Sequence, residues 1–281
     1  MASDHFKKAL ELARINTSRS SANRPRKVAK RLNDSISNQA ISENDFKNLT
    51  YHKTQVQPVS PKQLRENRII AGFPNEPNSS QFRILRTQVI QELRENGWNS
   101  VAITAAHSDA GKSLIAANLA VSLSLMTNIT VLLVDLDLRK PSIHRYFDLD
   151  VEKGIFEHLT QGIPLENILI NPGFERLVIL PGSEPTNSSS ELLASREAVD
   201  MLDEIKNRYE SRVILYDLPP LLGIDDAMVI LPHIDSSLLV VEANKTTEVE
   251  LNQSLQVLED HPLIGIVFNK ADQLDVLQYG Y

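Results

Sequence analysis

Cysteine is absent from all 281 residues. That excludes disulfides, thiolate zinc sites and thiolate-held iron–sulfur clusters, and it fits a reducing compartment. No apolar run approaches the roughly 18 residues of a membrane span. The start lacks the apolar stretch of a signal peptide. Met-Ala-Ser is not a myristoylation signal, and a chain without cysteine cannot be prenylated. These absences predict a soluble, cytoplasmic protein whose membrane contact is at most peripheral, at the inner face of the plasma membrane.

What is present is unevenly distributed. Apolar residues make up 42% of the chain, enough for a large core, and they concentrate after residue 100. The net charge of -7 conceals a basic arm on an acidic body, because residues 1–70 hold 14 Lys/Arg against 6 Asp/Glu. Such an arm suits an anionic partner. An anionic membrane surface fits better than nucleic acid, for which the arm offers no aromatic platform. A solvated tail is the alternative.

Residues 4–14 form a short amphipathic pattern with Phe6, Leu10 and Ala13 on one face. Residues 16–63 are rich in Ser, Asn, Lys and Arg without a sustained period and read as a flexible arm, and 72–80 as a flexible link. A clear helix follows, with Phe82, Leu85, Val89, Ile90 and Leu93 at helical spacing, a serine pair as cap and Gly97 as stop. Its other face carries Arg83, Arg86 and Arg94. From there, strand-like runs at 101–106, 131–134, 177–180, 213–216, 237–241 and 264–268 alternate with helical segments, among them 190–209 and 248–258. Alternation of this kind means βαβ units and predicts an α/β fold, P-loop NTPase-like, with a doubly wound, mainly parallel sheet and helices on both faces. The expected division is a basic flexible arm over 1–70, a nucleotide-binding body over 71–270 and a tail over 271–281.

The organising stretch is 101–139, VAITAAHSDAGKSLIAANLAVSLSLMTNITVLLVDLDLR. An apolar strand runs into a small polar turn, and Gly111-Lys112-Ser113 opens a long helical segment. That is the end of a P-loop, where free amides at the helix start hold phosphate, Lys112 adds a point charge and the Ser113 hydroxyl can ligate magnesium. The full pattern G-x-x-x-x-G-K-[ST] is incomplete, since its first position is Ala106 and residues 107–110 lack glycine. Asp109 carries a negative charge beside the phosphate position unless its side chain turns outward. The second strand ends in Asp135 and Asp137, and a later one in Asp217. Buried strand ends with carboxylates need a cation, read here as magnesium on a nucleotide. In parallel sheets ligands sit beyond the strand carboxyl ends, where the loop, Asp135, Asp137, Asp217 and Asn269 all fall. Asp225 and Asp226 read as caps of the following helix. His107, His144 and His158 show no metal spacing.

The set AGKS, LLVDLDLR, VILYDLPP and the terminal YGY resembles the bacterial protein-tyrosine kinases of exopolysaccharide export and chain-length control. The likeness is closest to the separate-chain cytoplasmic type, including those of exosortase-associated gene sets, and covers roughly 80–281. The resemblance implies ATP and Mg2+ as cofactors. AAHSDAGKS is then the Walker A motif, with Asp109, Ala110, Gly111, Lys112, Ser113 and Leu114 lining the nucleotide. VLLVDLDLR is the variant second Walker motif and VILYDLPP the Walker B motif. Lys112 would stabilise the β/γ-phosphates. Ser113, Asp137 and Asp217 would hold magnesium, and Asp135 would orient and deprotonate the incoming tyrosine, the two roles of Asp135 and Asp137 being interchangeable. Asn269 would contact adenine. Arg83 and Arg86, in FRILRTQ, belong to an oligomer-interface helix, although Ser80 stands where that motif begins with Glu. Tyr279 and Tyr281 form a shortened cluster phosphorylated by another copy of the chain. The family usually has Pro-Gly-Glu-Gly where this chain has Ser108-Asp109-Ala110-Gly111. The implied partners are a membrane-embedded polysaccharide co-polymerase or activator and the chain itself.

Two rival readings share the architecture. Min/Par-type ATPases place a signature lysine five residues before the P-loop lysine, where this chain has His107. A nucleotide-binding regulator of polysaccharide assembly without turnover is the non-enzymatic alternative.

Overall fold

Strands that are apolar at every position must be covered on both faces, and the architecture follows from that requirement. The computed structural model describes residues 54–208 and 211–271. The chain begins with β1 (Gln55–Val56) and α1 (Pro61–Glu66), followed by α2 (Ser79–Asn96), β2 (Ser100–Ala105) and α3 (Lys112–Ser124). Next come β3 (Thr130–Asp135), α4 (Ile143–Tyr146), α5 (Ile155–Gln161), β4 (Ile170–Asn171) and β5 (Leu177–Leu180). The last part holds α6 (Ser189–Leu193), α7 (Arg196–Asn207), β6 (Arg212–Asp217), α8 (Asp226–Ile230), β7 (Ser236–Glu242), α9 (Glu248–Val257) and β8 (Leu263–Asn269).

These strands form one sheet in the order β1-β4-β5-β3-β6-β2-β7-β8. Every pairing is parallel except β4 with β5. Alternate side chains point to opposite faces. Val101, Ile103, Val131, Leu133, Leu238 and Val240 enter the core shared with α2, α3 and α4. Ala102, Leu132, Val134, Leu239 and Val241 enter the core shared with α5, α7, α8 and α9. The predicted doubly wound, mainly parallel sheet with helices on both faces is what the structure has.

Helix α3 is buried on nearly every side, lying between the sheet and α2. It therefore needs no polar stripe, and its sequence has none. Helix α2 ends at Gly97 with φ 70, a left-handed position that glycine adopts without steric cost. Its start differs from the expected serine cap, because Asn78 precedes it in a left-handed conformation and Ser79 already lies inside the helix. The single helix expected over 190–209 is two, α6 and α7, with Ser195 capping α7 through its hydroxyl on the Ala198 amide at 3.2 Å.

The larger departure lies at the N-terminal end. The segment from residue 54 to 71, expected as the end of a flexible arm, is folded onto the body. Gln55 and Val56 pair with Ile170 and Asn171 at the sheet edge. Ser60 caps α1, Leu64 is buried, and Ile69 is 0% exposed. Asn118 of α3 fixes the segment with both ends of its carboxamide. Its oxygen accepts from the amides of Ile70 and Ala71 at 2.8 and 3.1 Å, and its nitrogen donates to the Arg68 carbonyl at 3.0 Å. The helical pattern at 4–14 and the tail tyrosines Tyr279 and Tyr281 lie outside the described residues.

Candidate active site

Strand order decides what surrounds the P-loop. It follows β2, with β6 and β3 on one side and β7 and β8 on the other. The β6/β3 side supplies carboxylates. Asp135 and Asp217 are register partners on adjacent parallel strands, and Asp137 lies two residues beyond. The β7/β8 side supplies Asn269 and Lys270.

Lys112 is buried among the carboxylates. Its Nζ lies 2.8 Å from Asp137 Oδ2, 3.6 Å from Asp217 Oδ1 and 3.4 Å from Ser113 Oγ. Burial alone would lower the Lys112 pKa, but Asp217 and Asp137 outweigh it and hold the group above its ordinary value. Asp137 also accepts from the Lys140 amide at 3.1 Å. Asp135 accepts from the Ser142 and Ile143 amides at 2.8 and 3.0 Å through Oδ2, so the first turn of α4 orients it.

Asp135 and Asp217 are fully buried, and burial is the largest influence raising both well above the ordinary carboxylate range. For Asp135 the Asp217 charge adds to it, and the two amides and Lys112 offset it only in part. For Asp217, Lys112 and the Ser113 hydroxyl give the partial offset. Asp135 Oδ1 and both Asp217 oxygens find no normal hydrogen bond among the described residues. Buried carboxylate oxygens without a hydrogen bond, beside a P-loop serine, suit a hard divalent cation. No three such side chains converge as a complete metal cage among the described residues. A magnesium ion held here would draw on Ser113, Asp137 and Asp217 together with phosphate oxygens and water, its usual mixed environment.

The loop is built for an anion. Asp109 has φ 65 and Gly111 φ 95; left-handed residues in such a turn expose successive amides as an anion-binding concavity. Gly111 precedes α3, and Lys112 and Ser113 open it; the first amides of a helix have no acceptor within it. Asp109 is exposed, its side chain away from the buried cluster. Leu114 is partly buried against the helix-side core. On the β8 side, Asn269 Nδ2 donates to the Ala110 carbonyl at 2.8 Å. Lys270 Nζ donates to the Asp109 carbonyl at 2.7 Å and to Glu242 Oε1 at 3.0 Å.

The structure thus brings Asp109, Ala110, Gly111, Lys112, Ser113, Asp135, Asp137, Asp217 and Asn269 to one sheet edge. It does not bring Arg83 or Arg86 there. Both lie on α2; Arg83 is exposed, whereas Arg86 donates to the Ser122 carbonyl near the end of α3 at 2.9 Å. Asp226 is no cap: it is buried, with both oxygens on Arg139 and a short hydrogen bond from Ser189. Arg139, the last residue of the second Walker motif, is thereby tied to α8.

Three residues near the site escaped the sequence reading. Tyr146 is half-buried, its hydroxyl raised by burial and by the Asp217 charge, with Lys112 and Arg68 opposing. Arg68 arrives through the folded segment 54–71. Lys270 had a signal, an Asn-Lys pair directly after a predicted strand.

The family model "CobQ/CobB/MinD/ParA nucleotide binding domain" matches residues 101–278, so fold, loop and match place the chain in that nucleotide-binding class. Within it, the tyrosine-protein kinase YwqD of Bacillus subtilis is 30% identical over 220 residues, 78% of this chain and 92% of YwqD. The succinoglycan biosynthesis transport protein ExoP of Rhizobium meliloti is 29% identical over 239 residues, 83% of this chain and 30% of ExoP. The crystal structure of the chimerical protein CapA2B2 superposes with a TM-score of 0.68 at 25% identity, covering 83% of this chain and 100% of that one. The chain belongs to the bacterial tyrosine-protein kinase family. It spans only about a quarter of some longer relatives, 27% in the case of EpsB of Ralstonia nicotianae.

Proposed function

We propose that this chain is an ATP-dependent protein-tyrosine autokinase acting in exopolysaccharide biosynthesis or export, with Tyr279 and Tyr281 of a second copy as acceptors. The observation that carries the reading is the buried Lys112 ammonium among Asp135, Asp137 and Asp217, at the first turn of the helix that the loop opens. Phosphoryl transfer asks for positioning and charge neutralisation more than for covalent catalysis.

In this reading the amides of 110–113 and Lys112 bind the β/γ-phosphates. Magnesium, when bound by Ser113, Asp137 and Asp217, supplies further neutralising charge. The tyrosine oxygen forms the new bond to the γ-phosphorus, the bond from that phosphorus to the β,γ-bridging oxygen breaks, and ADP leaves. Asp135 takes the hydroxyl proton. Its raised pKa suits a base working near neutrality, and the α4 amides hold it in place. The name of ExoP supports the polysaccharide setting. A membrane-embedded activator, assembly through the face of α2 that exposes Arg83, and contact of the basic arm with anionic lipid belong to the same proposal.

The Min/Par alternative gains nothing here, because position 107 holds a histidine where those proteins carry their signature lysine. The test is incubation of the pure protein with γ-labelled ATP and magnesium, followed by phosphotyrosine mapping. Label on Tyr279 and Tyr281 is expected, and Lys112→Ala should lose it by on the order of a hundredfold or more. ATP hydrolysis without tyrosine label points to the ATPase, and binding without turnover to the regulator.

A further inference from the structure

A peptide unit is planar and trans, so its carbonyl and the following amide point in opposite directions. Whatever holds the carbonyl of residue i on one side of a loop aims the amide of residue i+1 at the other. In this P-loop two consecutive carbonyls are held from the β8 side. Lys270 Nζ takes the Asp109 carbonyl at 2.7 Å, and Asn269 Nδ2 takes the Ala110 carbonyl at 2.8 Å. The amides on the other ends of those two peptide units belong to Ala110 and Gly111.

We propose that Lys270 is a positioning residue of the nucleotide site: with Asn269 it holds the loop carbonyls outward and thereby aims the Ala110 and Gly111 amides at the phosphate. The inference rests on the nucleotide-binding reading and goes beyond it, since it gives a role to a residue that touches neither the carboxylates nor Lys112.

Three features show the arrangement to be built. Lys270 has φ 58, a conformation that costs a residue with a side chain on the order of 1 kcal/mol or more. That turn at the strand end brings the ammonium back over the loop. Glu242, at the end of neighbouring β7, fixes the same ammonium at 3.0 Å and also meets Lys245 at 3.2 Å. Finally, Asn269 packs so closely over Gly111 that a Cβ there would lie 2.0 Å from Nδ2. Loop and strand end fit only with glycine at 111.

In a loop with few glycines this clamp has a particular task. Glycine-rich loops reach their amide-inward conformation at little steric cost. Here Asp109 must be kept left-handed against its preference, and an ammonium on its own carbonyl does that.

The test compares Lys270→Met, which keeps most of the stem but no donor, with Lys270→Arg, which restores one. Magnesium–ATP and magnesium–ADP binding is measured by calorimetry on the full chain, with thermal midpoints taken without nucleotide and kinase rates at saturating ATP. Lys270→Met should weaken both nucleotides by on the order of tenfold. Its midpoint without nucleotide should stay close to the parent's, and kcat should change far less than KM. Lys270→Arg should recover most of the affinity. Parent-like affinity in Lys270→Met overturns the proposal, as does a loss that tracks a fallen midpoint and that arginine does not rescue. A parent that itself binds neither nucleotide overturns the nucleotide reading as well, which separates the two failures.

Discussion

Lys112 holds together three carboxylates that would otherwise repel one another in a dry site, and the balance is sensitive to pH. Asp135 and Asp217 have folded pKa values raised above the ordinary 3.8. A raised carboxylate contributes stability that is complete below its unfolded value and lost as pH rises through its folded value. The affected window therefore runs from about 4 up to about 7, where Asp135 titrates. With a chelator present, the thermal midpoint of the parent should fall relative to that of Asp217→Asn as pH rises from about 4 to about 7. Magnesium should recover it most at the upper end, because the cation needs the ionised forms. Parallel midpoint curves for parent and variant would mean that Asp217 is already charged throughout. A second prediction at this scale concerns Asp109. Its φ of 65 is one that glycine adopts at less cost, and its exposed side chain adds a negative charge to the loop. Asp109→Gly should tighten ATP several-fold, and about 1 kcal/mol of relieved strain is the expected order. Weaker binding of that variant in calorimetry would give the Asp109 side chain a positive role.

At the scale of elements, legibility in the sequence followed length and burial. Strands β2, β3, β5, β6, β7 and β8 could be read because each is a run of apolar residues long enough to be distinguished from loop. The two-residue strands β1 and β4 could not, since two residues carry no period. Segment 54–71 was missed for a related reason. Its attachment rests on the β1–β4 pairing, on Leu64 and Ile69, and on side-chain hydrogen bonds such as those of Asn118 and Asn67, and none of these leaves a local pattern. The P-loop and the carboxylates were legible as short motifs at strand ends. Lys270 meets a backbone carbonyl 161 residues away and shows itself only when the strand order is known. The segment offers its own prediction. Ile69 is the fully buried residue of this segment, in the core shared with α2 and α3, so Ile69→Ala should cost about 2–5 kcal/mol in urea unfolding. Asn118→Ala should destabilise as well, because it leaves the Ile70 and Ala71 amides buried without their acceptor. A cost below about 1 kcal/mol for Ile69→Ala would return the segment to the arm.

For the whole molecule, charge and geometry meet at the sheet edge. The body is acidic, no helix among the described residues is long and apolar enough to cross a membrane, and three buried carboxylates, Asp135, Asp137 and Asp217, share one site. If the tail of one copy enters the site of another, each phosphorylation adds roughly -1.5 to -2 charges at neutral pH beside those carboxylates. The product tail should then be expelled, which makes the reaction self-limiting and loosens any assembly built on tail insertion. Reaction between copies, rather than within one, is what separates a kinase of this kind from an ATPase that happens to carry tyrosines. Mixing supplies the test. A Lys112→Ala chain with an intact tail cannot phosphorylate itself, and an active chain ending at residue 271 offers no tail tyrosine. Together they should place phosphate on Tyr279 and Tyr281 of the inactive chain, at a rate that rises with the concentration of the active one. Adding Arg83→Ala to both chains should slow that transfer, while Arg86→Ala should mainly cost stability, because its guanidinium already holds the Ser122 carbonyl of its own chain. A mixture that consumes ATP yet leaves the inactive tail unmodified at every ratio would remove the kinase reading and leave the ATPase.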